Sequence, residues 1–359
     1  MSPVGLNLNR QRFLIVRPTA LGDVSRTVPV LVSLRHANPD AHIDWLVNET
    51  FADAVRHHPA LDGLVGFPRR HFGTMYRNPR ALAEAIAWAH NLRRRRYDLV
   101  VDVQGLFRSG LFTRLTGAPT RIGFANAREF GWLGYNQRHH INHKRHTVDR
   151  MLDLIEAAGF EPQHDMHLYV GDDDQKWLDE YLAAHNIAGE AYACLAPTAR
   201  WRSKCWPVQR YADIAHRLLD THLAGSRIVL LASPNERGQL QPLLNDIRRR
   251  NSNHLERVLV PQTTVGQLMA VLSRTRLLVC NDSAPLHIAV GFDRPIVTIF
   301  GPTDPSLVGP YQRRDTVLRP PGVGDQPYNY RRFRHDQSLI ASISVDDVWQ
   351  KIEQQTQTG

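Results

Sequence analysis

Along the chain, short apolar runs alternate with longer stretches whose apolar residues recur at helical spacing. That rhythm predicts α/β units with parallel sheets, because a strand buried on both faces reads as an unbroken hydrophobic run. In the first half, Phe13–Val16, Ile43–Val47, Leu99–Val103 and Arg121–Phe124 are predicted strands. Val28–His36, Pro79–Arg95 and Thr147–Ala158 are predicted helices. The second half repeats the pattern, with strands at Ala193–Ala196, Ile228–Ala232, Arg257–Val260, Leu277–Cys280 and Ile296–Phe300. Its helices fall at Val208–Leu219, Glu236–Arg249 and Val265–Arg274. Residues 171–191 interrupt the rhythm. Gly171-Asp172-Asp173-Asp174 opens a helical stretch there and Ile187-Ala188-Gly189-Glu190 closes it. Residues 320–338 read as a long surface segment, and Ser344 and Asp347 have the spacing of a capping box at the start of a last helix.

Length and charge narrow the partners. A chain of 359 residues suits two domains of about 150 residues each. With 42% hydrophobic and 22% charged residues, it is neither disordered, collagenous nor a disulfide scaffold. The formal net charge of +9 points to an anionic partner: nucleic acid, a nucleotide, or a phosphorylated or membrane-bound substrate. The 3 cysteines, Cys194, Cys205 and Cys280, are dispersed and form no C-x-x-C pair, which fits a reducing compartment. Met1–Arg12 is polar, without the apolar core of a signal peptide. No apolar run approaches the roughly 18–20 residues that span a bilayer. A cytoplasmic protein is expected, with basic charge able to meet a membrane surface.

Four loops that follow predicted strands carry candidate chemistry. After the first strand comes Arg17-Pro18-Thr19-Ala20-Leu21-Gly22-Asp23-Val24. Asp23 there is either a helix cap or a reactive carboxylate. The segment lacks both the G-x-G-x-x-G fingerprint and a P-loop. Pro197–Pro207 (PTARWRSKCWP) places a hydroxyl and several cations between a strand end and a helix start, which suits a diphosphate or is simply a solvated basic loop. Cys280–His287 (CNDSAPLH) and Phe300–Pro305 (FGPTDP) offer donors and acceptors on consecutive strand ends. Each alone is ordinary turn chemistry; together they favour a shared crevice. Asp172–Asp174 reads as helix-start acid rather than a metal site. His139, His140, His143 and His146 lack a carboxylate or cysteine at ligand spacing. Arg93–Arg96 reads as a solvated helix end, and no aromatic-interleaved nucleic-acid signature accompanies the charge.

Taken together, these loops resemble glycosyltransferase family 9, the lipopolysaccharide heptosyltransferases. Phe13–Pro29 (FLIVRPTALGDVSRTVP), Tyr97–Gly105 (YDLVVDVQG), Pro197–Pro207, Asn281–His287 and Phe300–Pro305 carry the likeness, with His146–Gly159 (H-x-V-D-R, then Ala-Gly) in support. The resemblance implies an α/β GT-B fold, two Rossmann-like domains facing each other across a cleft. The expected layout is an acceptor-binding domain at 1–175, a nucleotide-sugar domain at 176–338, and a helix at 339–359 packing back toward the first. It implies an inverting, metal-independent transfer of heptose from ADP-heptose to an anionic lipopolysaccharide inner-core acceptor, with no cofactor and no nucleic acid. The enzyme would be cytoplasmic, touching the inner membrane from that side. Asp23 matches the family's general base. Thr198, Lys204, Glu236, Asp282, Ser283, Ala284, His287, Gly301, Thr303 and Asp304 match donor-binding positions. Arg17, Arg26 and Gln104 are expected to meet the acceptor. The chain departs from the family's pattern in its Ser-Ala-Pro donor turn, in Ala199-Arg200, and in having no cysteine over 320–342. Those departures bear on the sugar and acceptor, so two other readings stand beside this one. One is a GT-B transferase with another nucleotide sugar or acceptor; the other is a non-catalytic nucleotide-sugar binder.

Overall fold

The computed structural model of the chain describes residues 11–67, 73, 76–320 and 336–357. Most of the 320–338 segment and of the polar N-terminus lie outside those residues. The chain forms two compact units, Met1–Tyr169 and Val170–Gly359.

The first unit is built on a six-stranded sheet in the order β3-β2-β1-β4-β5-β6. These strands are β1 (Arg12–Val16), β2 (His42–Asn48), β3 (Gly63–Phe67), β4 (Leu99–Asp102), β5 (Thr120–Phe124) and β6 (Gln137–His139). All the pairings are parallel. The central strands β1 and β4 are buried on both faces, which is why they read as unbroken apolar runs. β3 escaped the sequence reading because Gly63 and Gly66 break its apolar run, and β6 because its Gln-Arg-His sequence is polar. Helices Pro79–Arg94 and Phe107–Leu115 cover one face of the sheet, where Trp88, Leu92, Phe112 and Leu115 pack on Leu14, Val16, Leu46 and Val100. Since crossovers are right-handed and the winding reverses at β1, Val28–Ala37 falls on the opposite face, against Thr147–Ala157.

The second unit repeats this plan with the order β12-β11-β10-β7-β8-β9. Its strands are β7 (Tyr192–Ala196), β8 (Arg227–Leu230), β9 (Val258–Leu259), β10 (Leu277–Asn281), β11 (Ile296–Ile299) and β12 (Val317–Leu318), again all parallel. The whole of helix Asp172–Ala184 belongs to this unit. Arg274 holds it through Asp179, 2.5 Å away, and Gln175, 2.9 Å away. The last helix, Val345–Gln357, opens on the capping box its sequence predicts: Ser344 Oγ accepts from Asp347 N at 3.1 Å, and Ser344 N donates to Asp347 Oδ2 at 2.9 Å. Val348 and Ile352 are buried with Leu218, Leu219, Val297 and Ile299 in the second unit's own core.

One close approach in the first unit can occur only without side chains. A Cβ on Gly110 would lie 2.2 Å from the Gly131 carbonyl oxygen, and one on Gly134 would lie 2.1 Å from that of Gly110. The turn Gly131–Gly134 therefore sits directly on helix Phe107–Leu115. Gly110→Ala should prise the two apart. The expected loss is about 1–3 kcal/mol of stability, read as a lower denaturation midpoint, and an unchanged midpoint would show that the contact carries no energy.

Candidate functional site

In each sheet the winding reverses between two central strands, and at such a point the loops leave the strand ends in opposite directions and open a crevice. In the first sheet this happens between β1 and β4. The loop after β1 runs into the short helix Leu21–Ser25, which carries Asp23. The loop after β4 carries Gln104, whose Oε1 accepts from Thr19 N at 3.4 Å. The two loops are thus bonded to each other. Asp102, at the end of β4, fixes the second loop from below. Its buried carboxylate accepts from Gln104 N at 2.8 Å, Gly105 N at 3.1 Å and the Tyr135 hydroxyl at 2.7 Å. Burial still pushes this carboxyl above its ordinary range.

Asp23 lies between two guanidiniums. Arg17 approaches its Oδ2 at 3.3 Å, and Arg26 donates to its Oδ1. The arginine side chains are 9% and 8% exposed, whereas that of Asp23 is 29% exposed. The carboxylate is therefore the open member of a half-hidden cluster. Burial works to raise the Asp23 carboxyl, but Arg17 and then Arg26 overcome it and hold it well below the usual carboxylate range. Ala20, not Asp23, is the N-cap of this helix; Asp23 is its third residue and accepts from Ala20 N at 3.4 Å.

Arg150 was not foreseen as a site residue. Burial lowers its guanidinium, and the charges of Arg17 and Arg128 lower it further. It is the arginine of the H-x-V-D-R pattern, so a signal for it was present in the sequence. The first residue of that pattern, His146, caps the helix: its Nδ1 accepts from Val148 N at 3.2 Å.

In the second sheet the reversal lies between β10 and β7. Asn281, the last residue of β10, ties the two loops. Its Nδ2 donates to the Pro197 carbonyl at 2.8 Å and its Oδ1 accepts from Trp206 N at 3.0 Å. The motif contained Asn281, but its role depends on which strand neighbours β10. The next residue, Asp282, accepts from Lys204 Nζ at 2.5 Å and from Thr303 Oγ1 at 2.6 Å. Three separate loops thus meet on one carboxylate. Burial would raise Asp282; Lys204, Thr303 and His287 together bring it below its ordinary value.

The remaining expected donor residues lie on loops and helix starts that follow strands of the same sheet. Thr198 Oγ1 donates to Glu236 Oε2 at 3.2 Å, and Ser233 donates to the same oxygen at 2.7 Å. Ser283 is the N-cap of helix Ala284–Gly291, where Pro285 has no N–H and Leu286 N donates to the Ser283 carbonyl at 3.2 Å. His287 is buried within that helix. A Cβ on Gly301 would meet the Ser203 carbonyl oxygen at 2.9 Å, so the loop after β11 lies close to the Lys204 turn. Asp304 caps Pro305–Val308, accepting from Ser306 N at 2.8 Å. That bond occupies one of its oxygens.

The sequence profile of glycosyltransferase family 9 (heptosyltransferase) matches residues 85–331. The chain belongs to glycosyltransferase family 9. The transferase is 30% identical to lipopolysaccharide heptosyltransferase 1 of Escherichia coli O18:K1:H7, an alignment covering 87% of this chain and 92% of the relative. It is 25% identical to lipopolysaccharide heptosyltransferase 3 of E. coli K12, over 79% of this chain and 80% of that one. Two solved structures share its GT-B fold of paired Rossmann-like units. A family 9 glycosyl transferase from Veillonella parvula superposes with a TM-score of 0.81 at 21% identity, covering 99% of both chains. E. coli heptosyltransferase WaaC, crystallised with ADP-2-deoxy-2-fluoro heptose, gives 0.73 at 27% identity, over 96% of this transferase and 99% of that chain. No helix among the described residues is long and apolar enough to cross a membrane.

The buried Lys204–Asp282 pair sets a stability test that is separate from activity. Removing the lysine alone strands a carboxylate, so Lys204→Ala should cost about 3–5 kcal/mol at pH 7. Lys204→Met with Asp282→Leu should recover most of that loss. Because the folded carboxyl of Asp282 is depressed, the pair stabilises above the unfolded value near 3.9 and loses this contribution as pH falls below it. Denaturation curves of the three proteins at pH 7 and pH 3 check both statements. A single variant as stable as the wild type would show that the pair is not coupled.

Proposed function

We propose that this transferase moves a heptose from ADP-heptose onto an anionic inner-core acceptor of lipopolysaccharide, with inversion and without a metal. The observation that carries the reading is Asp23, an ionised and accessible carboxylate among otherwise buried cations at the reversal point of the first sheet. The relatives' heptosyltransferase activity, and the ADP-heptose analogue held by the 27% identical WaaC, supply the donor class.

The acceptor's anionic groups would meet Arg17 and Arg26, with Gln104 beside them. In the unliganded protein these guanidiniums keep Asp23 ionised but weakly basic. An acceptor phosphate or carboxylate drawing on the same guanidiniums would weaken their hold and raise the proton affinity of Asp23. Asp23 then takes the proton of the attacking hydroxyl as that oxygen bonds to the anomeric carbon and the ADP leaves from the opposite side. A general base of this kind contributes about 10²–10⁴-fold.

The departing diphosphate needs positive charge. Lys204 would supply it, with the dipole of helix Ala284–Gly291 adding positive character at its N-terminus. An ammonium has three N–H donors, and the bond to Asp282 fixes where Lys204 points. Thr198, Ser283, Ala284, Gly301, Thr303 and Asp304 would complete the donor contacts, with Glu236 on the ribose and His287 supporting the turn from within. The enzyme would work in the cytoplasm, where nucleotide sugars and reduced cysteines coexist. Burial pushes the Cys205 thiol up to about 11 and those of Cys194 and Cys280 to about 12, which makes all three poor nucleophiles.

Asp23→Ala should cut turnover by at least about 10²-fold and leave the thermal shift with ADP-heptose intact. Near-normal turnover would remove Asp23 as the base. A shift with UDP-sugars rather than ADP-sugars would redirect the donor assignment. The acid limb of kcat/KM due to Asp23 should lie below pH 4 in the wild type, since its carboxyl is depressed. Arg26→Gln should move that limb upward, and a limb that stays in place would mean that Arg26 does not set the basicity of Asp23.

A further inference from the structure

Large exposed apolar side chains gather on three adjoining elements of the first unit. Leu82 and Ile86 are one turn apart on helix Pro79–Arg94, and Phe107 and Leu111 are one turn apart on helix Phe107–Leu115. Phe130 and Leu133 flank and occupy the turn Gly131–Gly134, which the glycine contacts press onto the second of these helices. Ile86 is 62% exposed, Phe107 52% and Phe130 67%. The two helices are neighbours on the same sheet face, so these side chains share one surface. Single exposed apolar residues are commonplace, but several of this size on contiguous elements mark an interaction face.

The charge beside that surface identifies its partner. The stripe of Leu82 and Ile86 continues at helical spacing into His90 and Arg93–Arg94. There a cavity of about 500 Å³ is lined by His90, Arg93, Arg94, Arg96 and Asp98 among others. Among the described residues, Arg93, Arg94 and Arg96 make no ion pair. Asp98 spends one carboxylate oxygen on Arg12 N at 2.8 Å. Arginines at a helix C-terminus can be explained by the dipole alone. A cavity that gathers them beside an apolar strip cannot.

We propose that this face seats the transferase on an anionic lipid bilayer. The apolar side chains enter the headgroup–acyl boundary and the arginine cavity receives lipid phosphate, a combination characteristic of interfacial binding. The helices run antiparallel to the strands they connect. Their N-terminal ends, with Leu82 and Phe107, therefore stand at the sheet edge that carries Asp23. An acceptor anchored in the same bilayer would present its sugar to that edge.

The test is vesicle sedimentation, which does not depend on which sugar is moved. The probes are phosphatidylethanolamine–phosphatidylglycerol vesicles and, separately, phosphatidylcholine vesicles. The wild type should bind the anionic vesicles and bind the neutral ones much more weakly. Ile86→Glu with Leu111→Glu should reduce partitioning at least about tenfold, while thermal unfolding and the shift with ADP-heptose stay as in the wild type. Arg94→Gln with Arg96→Gln should lower it by about fivefold per charge and flatten its salt dependence. Any of three results overturns the proposal: no vesicle binding by the wild type, equal binding of both compositions, or unchanged binding by the apolar variant. A dimer dissolved by the apolar variant, without vesicle binding, would assign the face to a second copy of the chain instead.

Discussion

The structure depends on the constraint that all strands of each sheet run the same way. A parallel sheet buries its strands under helices on both faces and leaves its connections at the two ends. Where the winding reverses, two loops separate and expose polar groups at the carboxyl edge. In this chain the reversal occurs once per sheet, between β1 and β4 and between β10 and β7. Asp23 and Gln104 stand at the first, Lys204 and Asp282 at the second. The chemistry of the transferase follows from where its sheets turn back.

Carboxylates hold these edges together, and their surroundings divide them by task. Asp102 accepts hydrogen bonds from two backbone N–H groups and a tyrosine, and burial raises its carboxyl. Asp44, at the opposite end of the sheet, gathers His42, Arg95 and the Tyr97 hydroxyl, and these lower it despite burial. Asp282 is buried and paired with Lys204. Asp23 combines strong pairing with exposure, so it is charged and still reachable. Proximity to cations is common to Asp44, Asp282 and Asp23, and accessibility sets Asp23 apart.

The sequence was most legible where physics writes redundantly. Doubly buried strands such as Leu14–Val16 and Leu277–Cys280 are continuous apolar runs, and Ser344 with Asp347 spells its cap locally. It was least legible at sheet edges. β6 can be polar because a neighbour covers only one side, β12 is only two residues long, and the glycines of β3 conceal its strand character. Helix Phe107–Leu115 was hidden for a related reason: its outward positions Phe107 and Leu111 are apolar, which erases the polar stripe that normally marks a surface helix. The same irregularity marks the proposed membrane face.

The sequence alone determined the α/β class, the repeat of two similar halves, the family likeness and the loops that bear Asp23, Lys204 and Asp282. These are local patterns of burial and turn chemistry, readable over a few residues. Only the tertiary structure decided that Lys204, Asp282 and Thr303 share one carboxylate, that Asn281 ties two loops, and that Arg17, Arg128 and Arg150 influence one another electrostatically. It also decided that Val348 and Ile352 join the second unit's core. Each of these depends on which strands become neighbours, and strand order is set by long-range packing that no short stretch of sequence encodes.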